Sequence, residues 1–304
     1  MASRCTTASA ATSATAPTDP TDPTDPTDPV SDPPSEVGRT LRRVTETVPT
    51  RRPPPEFLPA RVVERDHLGP RLIRVRLEGA GLVGFEPDGP AASLRLLLPR
   101  TGTGALEVPE WNGNEFLYAD GARPPIRTLT PLDVDAASGR LSVAAVVHGE
   151  GPLSTWATST APGDEVAVSG PGRGYEVDAG AATFVIVGDE SALPAILTLM
   201  PELPRHAAVR VVVEVQHAED RIELGGPPDT VVDWVLRPAG SAPGDAMLDA
   251  LRGAPLDPDA RLWVAGEAAG VQRIRRHLFD ELAVPRSRAV VRGYWKQGRA
   301  GAGS

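Results

Sequence analysis

Two patterns of hydrophobic positions divide the chain near residue 180. Up to about residue 177, short segments alternate polar and apolar residues or run apolar, with Gly- and Pro-rich turns between them. A period of two residues between apolar positions predicts strands. The predicted strands are 60–65, 71–78, 93–98, 141–147 and 164–169, with one helix at 152–160. Short strands with little helical periodicity predict an antiparallel barrel.

After residue 179 apolar strand segments alternate with stretches of helical periodicity. The predicted strands are 183–187, 208–215, 231–236, 261–265 and 288–292, and the clearest helices are 191–203, 245–252 and 268–282. Alternating strands and helices predict a parallel, doubly wound sheet. The expected fold is therefore two-domain β + α/β: an antiparallel β-barrel at 57–179, followed by a nucleotide-type α/β domain at 180–298.

The two ends of the chain differ in composition from the rest. Residues 1–38 are Ala/Ser/Thr-rich and then repeat Thr-Asp-Pro, residues 39–56 are basic and proline-rich, and residues 299–304 are mostly Gly and Ala. Proline at every third position excludes helices and sheet ladders, so we expect a disordered tail at 1–38, a linker at 39–56 and a flexible C-terminus.

Charge and composition exclude several classes of protein. The net charge is −9, and the acidic tail supplies much of it, which argues against a nucleic-acid partner. Cys5 is the only cysteine and the five histidines lack metal-ligand spacing, so we expect neither a disulfide nor a metal site. With no apolar run of about 20 residues and no secretory signal, we expect a cytoplasmic protein without membrane insertion.

Three segments could hold a phosphorylated cofactor. The strand 183–187 runs into a Gly188-Asp189-Glu190 turn and a helix with Ser191 in its first turn. Such a turn can present backbone N–H groups to a phosphate, although every βα unit has one. Arg127–Pro131, between barrel strands, has an arginine beside hydroxyl side chains, which suits a phosphate or a ring edge. Taken alone, an ordinary strand with an exposed arginine is the favoured interpretation. His148–Ala157 passes through two glycines into a helix with Ser154 near the N-cap, which suits a pyrophosphate or a plain capped helix.

The order of six segments resembles the siderophore-interacting protein family. They are Gly79-Ala-Gly-Leu-Val-Gly-Phe-Glu-Pro87, Arg127-Thr-Leu-Thr-Pro131, His148 to Ala157, Gly188-Asp-Glu-Ser-Ala-Leu-Pro-Ala-Ile196, Trp263-Val-Ala-Gly-Glu-Ala268 and Gly293-Tyr-Trp-Lys-Gln-Gly298. Members are FAD-dependent ferric-siderophore reductases related to ferredoxin-NADP reductases. The resemblance covers roughly residues 57–298.

The resemblance implies a cofactor-binding set spread over both domains. Arg127 and Thr130 contact FAD, the turn of Gly151, Pro152 and Ser154 holds its pyrophosphate, and the loops at 188–191 and 265–267 lie beside the flavin and the nicotinamide path. The C-terminal aromatics lie near the isoalloxazine ring. The full set implied is Arg127, Thr128, Leu129, Thr130, His148, Gly151, Pro152, Ser154, Asp189, Glu190, Ser191, Gly266, Glu267, Tyr294 and Trp295.

One position departs from the family pattern. Where members have an aromatic residue that stacks on the flavin ring, this chain has Leu129. Aromatic stacking is worth about 0.5–1.5 kcal/mol beyond area burial, so the substitution is expected to weaken FAD binding up to about tenfold.

The implied function is reduction of an Fe(III)-siderophore to release Fe(II), with electrons from NAD(P)H or ferredoxin passing through FAD. Electron transfer requires no catalytic acid or base, which fits the lack of a triad or carboxylate pair. Lys296, the only lysine, is expected to attract anionic ferric siderophores, or to be merely a solvated cation. Two alternatives stay open: another flavin reductase of the same superfamily, or a flavin-free siderophore-binding module. We expect a monomer.

Overall fold

The computed structural model describes residues 56–149 and 151–298. The predicted tail, nearly all of the linker and the C-terminal six residues lie outside the described residues.

The N-terminal domain is an antiparallel sheet of seven strands, with one helix and a small hairpin. Its elements are β1 (Leu58–Gly69), β2 (Leu72–Glu78), β3 (Leu94–Leu97), the hairpin β4 (Glu110–Trp111) and β5 (Phe116–Leu117), β6 (Ile126–Leu129), β7 (Pro131–Asp135), β8 (Arg140–Val146), α1 (Pro152–Ser159) and β9 (Glu165–Ser169). The strand order is β6-β3-β9-β1-β2-β8-β7. All five predicted strands and the helix are confirmed, and β4 to β7 are additional.

The sheet curls into a barrel because its two edge strands are consecutive in the chain. β6 ends at Leu129 and β7 begins at Pro131, so Thr130 alone joins the two edges. Alternate apolar residues of the strands point inward and form one core with Trp156 of α1. The segment Arg127–Pro131 therefore lies on strands at the seam of the barrel, which corrects the prediction that it falls between strands.

The C-terminal domain is a five-stranded sheet in which every ladder is parallel. Its elements are β10 (Thr183–Asp189), α2 (Leu193–Leu199), β11 (Ala208–Val215), β12 (Thr230–Leu236), α3 (Asp245–Arg252), β13 (Arg261–Glu267), α4 (Ala268–Arg276) and β14 (Ala289–Trp295). Its helices lie on both faces: α2 packs with Phe184 and Ile186, while α3 and α4 pack with Val185 and Val187. This alternation along β10 confirms the predicted doubly wound α/β fold.

Two of the predicted helices are irregular. The stretch 191–203 consists of the 3-10 turn Glu190–Ala192, α2 and a second 3-10 turn, Met200–Glu202. Pro201 has no backbone N–H, so the α-helical ladder cannot continue through this position. The helix at 268–282 begins as α4 and ends as the π-turn His277–Glu281.

The order β12-β11-β10-β13-β14 defines where ligands can bind. From the central β10 the chain adds β11 on one side and β13 on the other, so the strand order reverses between β10 and β13. In open α/β sheets the crevice beyond the carboxyl ends of the strands at such a point is the usual ligand site. Asp189 ends β10 and Glu267 ends β13, at this point.

Candidate functional site

Asp189 connects the ends of three neighbouring strands. Its Oδ1 accepts from the Ser191 backbone N–H at 2.9 Å and from the Ser191 hydroxyl. Its Oδ2 accepts from the Glu267 N–H at 2.7 Å and from Trp295 Nε1 at 2.8 Å. The side chain is 6% exposed, and burial raises its pKa although these four donors oppose the shift. The carboxylate therefore fixes β10, β13 and β14 relative to one another.

This arrangement corrects the simplest phosphate interpretation of the Gly188-Asp189-Glu190 segment. Gly188 and Asp189 belong to β10 rather than to a turn, and the N–H of Ser191, the second residue of the helical segment, is already bonded to Asp189. Gly266 has φ +155°, and a Cβ there would lie 2.7 Å from Asp189 Oδ2. Glycine at 266 is thus required by the close approach of this carboxylate.

Glu267 is a second internal cap. Its Oε2 accepts from the backbone N–H groups of Ala269 and Gly270 at 2.7 and 2.9 Å, at the start of α4. Its Oε1 accepts from the Gln297 N–H at 3.2 Å, which holds the chain just after Lys296. Glu267 is 3% exposed, so it shapes the C-terminal loop rather than presenting its carboxylate to a ligand.

The C-terminal aromatics bring the two domains together. The Trp295 ring lies 6.0 Å from the His148 ring, centroid to centroid, and the planes are tilted by 33°. Tyr294 packs edge-on against Trp263, and burial raises the pKa of Tyr294 to about 12. His148 follows β8 of the barrel, so β14 of the α/β domain ends against the turn that leads into α1.

Arg71 is an interdomain residue that the sequence analysis missed. It lies in the two-residue turn between β1 and β2, and its guanidinium bonds to Asp220 at 2.7 and 3.1 Å and to Gln216 Oε1 at 3.0 Å. It also donates to Glu190, whose Oε1 accepts from the Gln216 N–H as well. Burial raises the pKa of Glu190 against the influence of these donors. An arginine in a hairpin turn carries no sequence signal for such a role.

On the barrel side, β6 presents the predicted flavin-binding residues along the seam. Arg127 is half-buried, its guanidinium donates to the Ile126 carbonyl at 2.8 Å, and burial lowers its pKa. Thr128 is exposed and Thr130 is buried. Leu129 is partly buried and packs at the edge of the barrel core. Because β6 also contacts β8, this strand runs close to the turn that carries His148.

Helix α1 begins at the predicted residue and contains Ser154 in its first turn. Gly151 is the N-cap and Pro152 the first helical residue. Ser154 is 3% exposed, and its hydroxyl accepts from the His148 N–H and donates to the His148 carbonyl, both at 3.1 Å. Ser154 therefore ties the turn together from inside the helix, three residues after the N-cap and so near it, as predicted.

The start of α1 fits an anionic group. No side chain of the described residues caps it, and its first turn contains no acidic residue. A Cβ at Gly151 would meet no heavy atom within 4 Å among the described residues beyond its chain neighbours, so the side of the N-cap where a side chain would project is open. The N–H groups of a helical first turn lack intrahelical acceptors, and the helix dipole favours negative charge there.

Lys296 is exposed directly after β14. Within residues 56–149 and 151–298 no group of His, Cys, Asp and Glu side chains is arranged to hold a metal ion. Across the same residues, none of the helices has the length and apolarity needed to cross a membrane.

The comparisons with known proteins cover both domains. Residues 61–175 match the siderophore-interacting FAD-binding domain, and residues 181–298 match the siderophore-interacting protein profile. Ferric vibriobactin reductase ViuB of Vibrio cholerae is 30% identical over 242 residues, which cover 78% of this chain and 88% of ViuB. The chain belongs to the siderophore-interacting protein family.

Solved structures agree with this membership. A siderophore utilization protein from T. fusca is 32% identical, with a TM-score of 0.72 over 81% of this chain and 95% of that one. The ferredoxin reductase of carbazole 1,9a-dioxygenase is 14% identical, with a TM-score of 0.58 over 79% of this chain and 69% of that one. The latter shows that the siderophore-interacting fold is of the ferredoxin-reductase type.

Proposed function

We propose that this protein is an FAD-dependent reductase that transfers electrons from NAD(P)H or ferredoxin to an Fe(III)-siderophore and so releases Fe(II). The observation that carries the proposal is the start of α1, which no side chain of the described residues caps and whose first turn has no acidic residue. Helix α1 packs against β8, and β8 also contacts the strand of Arg127. Membership of the family and the 30% identity to a ferric vibriobactin reductase support the same function.

The barrel residues suit the two ends of an FAD molecule. The first-turn N–H groups of α1 would bind the pyrophosphate, and Ser154 would hold that turn in shape through its two bonds to His148. Arg127 would bind at the ring and ribityl end, where a charge-assisted hydrogen bond is about twice as strong as a neutral one. Leu129 would cover part of the ring without stacking.

The loops of the α/β domain would enclose the other side of the ring. Asp189 holds Trp295 in place through a 2.8 Å bond, and Trp295 in turn lies against His148. Bound FAD would supply the step from a two-electron donor to a one-electron acceptor, while the protein positions the partners and excludes water.

The substrate would approach beside Lys296. Hydroxamate, catecholate and carboxylate oxygens prefer a hard, highly charged cation, so reduction of Fe(III) to Fe(II) loosens the complex. Many such complexes are anionic, and the exposed ammonium of Lys296 would attract them.

The purified chain tests the proposal in three steps. FAD is added and the excess removed, the flavin spectrum is recorded, and ferric siderophore is supplied anaerobically with NAD(P)H and a colorimetric Fe(II) chelator. We expect a flavin spectrum that bleaches with NAD(P)H, and Fe(II) release that depends on both FAD and protein.

Each alternative gives a different result. Another flavin reductase would oxidise NAD(P)H with quinones or free flavin but release no Fe(II) from any ferric siderophore. A flavin-free binding module would stay colourless after incubation with FAD and still bind a ferric siderophore, which would contradict the reductase assignment.

A further inference from the structure

Three buried carboxylates lie along the edge of the parallel sheet where the strands have their carboxyl ends and where ligands usually bind. Asp189, Glu214 and Glu267 lie at or next to the carboxyl ends of β10, β11 and β13. In the described α/β domain, residues 180–298, each of them accepts backbone N–H groups at the start of a helical segment: 190–202, α3 and α4 in turn. The starts of these three helical segments are thus occupied by the chain's own acids.

Glu214 is the most informative of the three. In dinucleotide-binding folds, an acid at the end of the second strand binds the ribose hydroxyl of NAD. Glu214 stands at that place in the fold, yet it is 2% exposed. Its oxygens accept from the Gly244 N–H at 3.0 and 3.1 Å and from the Met247 N–H at 3.3 Å. It serves as the cap of α3, and both of its carboxylate oxygens already accept backbone N–H groups.

These contacts exclude the usual diphosphate site from the α/β domain. A diphosphate binds a helix start because unpaired N–H groups and the positive end of the dipole face it. Here one or two N–H groups at each start already have a carboxylate acceptor, and each carboxylate places negative charge where the diphosphate would lie. The start of α1 in the barrel is the opposite case, with no acid in its first turn.

We propose that a nicotinamide donor is recognised through its nicotinamide mononucleotide half alone, and that its adenosine half makes no specific contact. This inference rests on the proposed function and specifies its donor. The dihydronicotinamide gives up a hydride, which carries two electrons and one proton, and becomes the nicotinamide cation. Bound FAD would supply the acceptor for that hydride, and one solvent proton would complete its two-electron reduction. Because the protein makes no specific contact with the adenosine half, the 2′-phosphate that distinguishes NADPH from NADH has little effect on the rate of flavin reduction.

Anaerobic stopped-flow mixing of the FAD-loaded full chain tests this directly. NADH, NADPH and reduced nicotinamide mononucleotide are compared as donors by the bleaching of the flavin. We expect the three second-order rate constants to agree within about threefold, a difference of less than 1 kcal/mol. A dinucleotide that reacts more than about tenfold faster than the mononucleotide overturns the inference.

Calorimetric titration of the FAD-loaded chain with ADP and with 2′,5′-ADP gives a readout independent of activity. We expect no binding at millimolar concentrations, whereas saturable binding of either probe would reveal the site that the inference denies. A titration of the flavin-free chain with FAD confirms that the preparation is competent.

The two hypotheses fail in different ways. A chain that takes up no FAD contradicts the proposed function, and the ADP and 2′,5′-ADP titrations, repeated on that chain, then decide whether the adenosine half has a binding site. A chain that no nicotinamide donor reduces, but that releases Fe(II) after chemical reduction, contradicts the inference and leaves ferric reduction standing.

Discussion

Arg71 is expected to be a major stabilising contact between the barrel and the α/β domain. Its side chain is 22% exposed, and its partners Glu190 and Asp220 are 13% and 7% exposed. Replacing Arg71 by alanine leaves both carboxylates partly buried without their shared cation. Removing one partner of a buried pair costs about 3–5 kcal/mol, and the partial exposure of Arg71 places the expected loss near 3 kcal/mol.

Thermal unfolding of the full chain measures this loss. For a protein of this size each kcal/mol shifts the Tm by roughly 2–4 °C, so R71A is expected to melt about 6–12 °C lower. Arg140→Ala is the matched control because Arg140 pairs with Glu78 on the exposed barrel surface, where its loss should cost less than about 1 kcal/mol.

A double-mutant cycle separates the ion pair from lost packing. R71A leaves two carboxylates without their cation, and Asp220→Asn removes one of them. The loss of stability in R71A/D220N should therefore be smaller than the sum of the two single losses by about 1–2 kcal/mol. Additive losses, or an R71A variant that melts with the parent chain, would refute the reasoning.

Three further substitutions have defined outcomes. Arg127→Ala should weaken FAD binding by about 1.5–3 kcal/mol, through loss of a charge-assisted hydrogen bond, and equal flavin retention by variant and parent would contradict that role. Burial raises the pKa of Glu214, so the folded chain holds this proton more tightly than the unfolded chain and loses stability as the pH rises through the raised pKa. Glu214→Gln removes this titratable group. The Tm difference between variant and parent should therefore shift in favour of the variant as the pH rises from about 4.5 to 7.5, and a difference that does not change with pH would show that Glu214 does not titrate in this range. Lys296→Ala should raise the KM for an anionic ferric siderophore several-fold at low salt and less at high salt, while Lys296→Arg should not; an unchanged KM at low salt would exclude the electrostatic role.

The fold could be predicted from the sequence because apolar residues recur with the periods of strands and helices. β10 alternates apolar residues for two packed faces, and Asp245–Arg252 was found with its exact bounds. Strands β6 and β7 were missed because they are short and mix Thr, Pro, Asp and Arg with apolar residues, a pattern that also suits a loop. The pairing of β6 depends on β3, about thirty residues earlier, whereas β7 pairs with the neighbouring β8.

The residues of the candidate site could be predicted from the sequence only in part. Resemblance pointed to Asp189, Glu267 and Trp295, but it could not show that the two carboxylates are internal acceptors for backbone N–H groups. Arg71 and Glu214 were missed because their roles arise where distant segments meet. Such contacts follow from the packing of β1–β2 and α3 against the parallel sheet, which no local pattern records.

A single-turnover experiment tests the central claim most directly. The FAD-loaded protein is reduced anaerobically with two electrons per flavin and mixed with excess ferric siderophore in the presence of an Fe(II) chelator. Two Fe(II) per FAD should appear at the same rate as the oxidised flavin absorbance returns. Flavin that stays reduced, or that reoxidises without Fe(II) release, would contradict the assignment as a ferric-siderophore reductase.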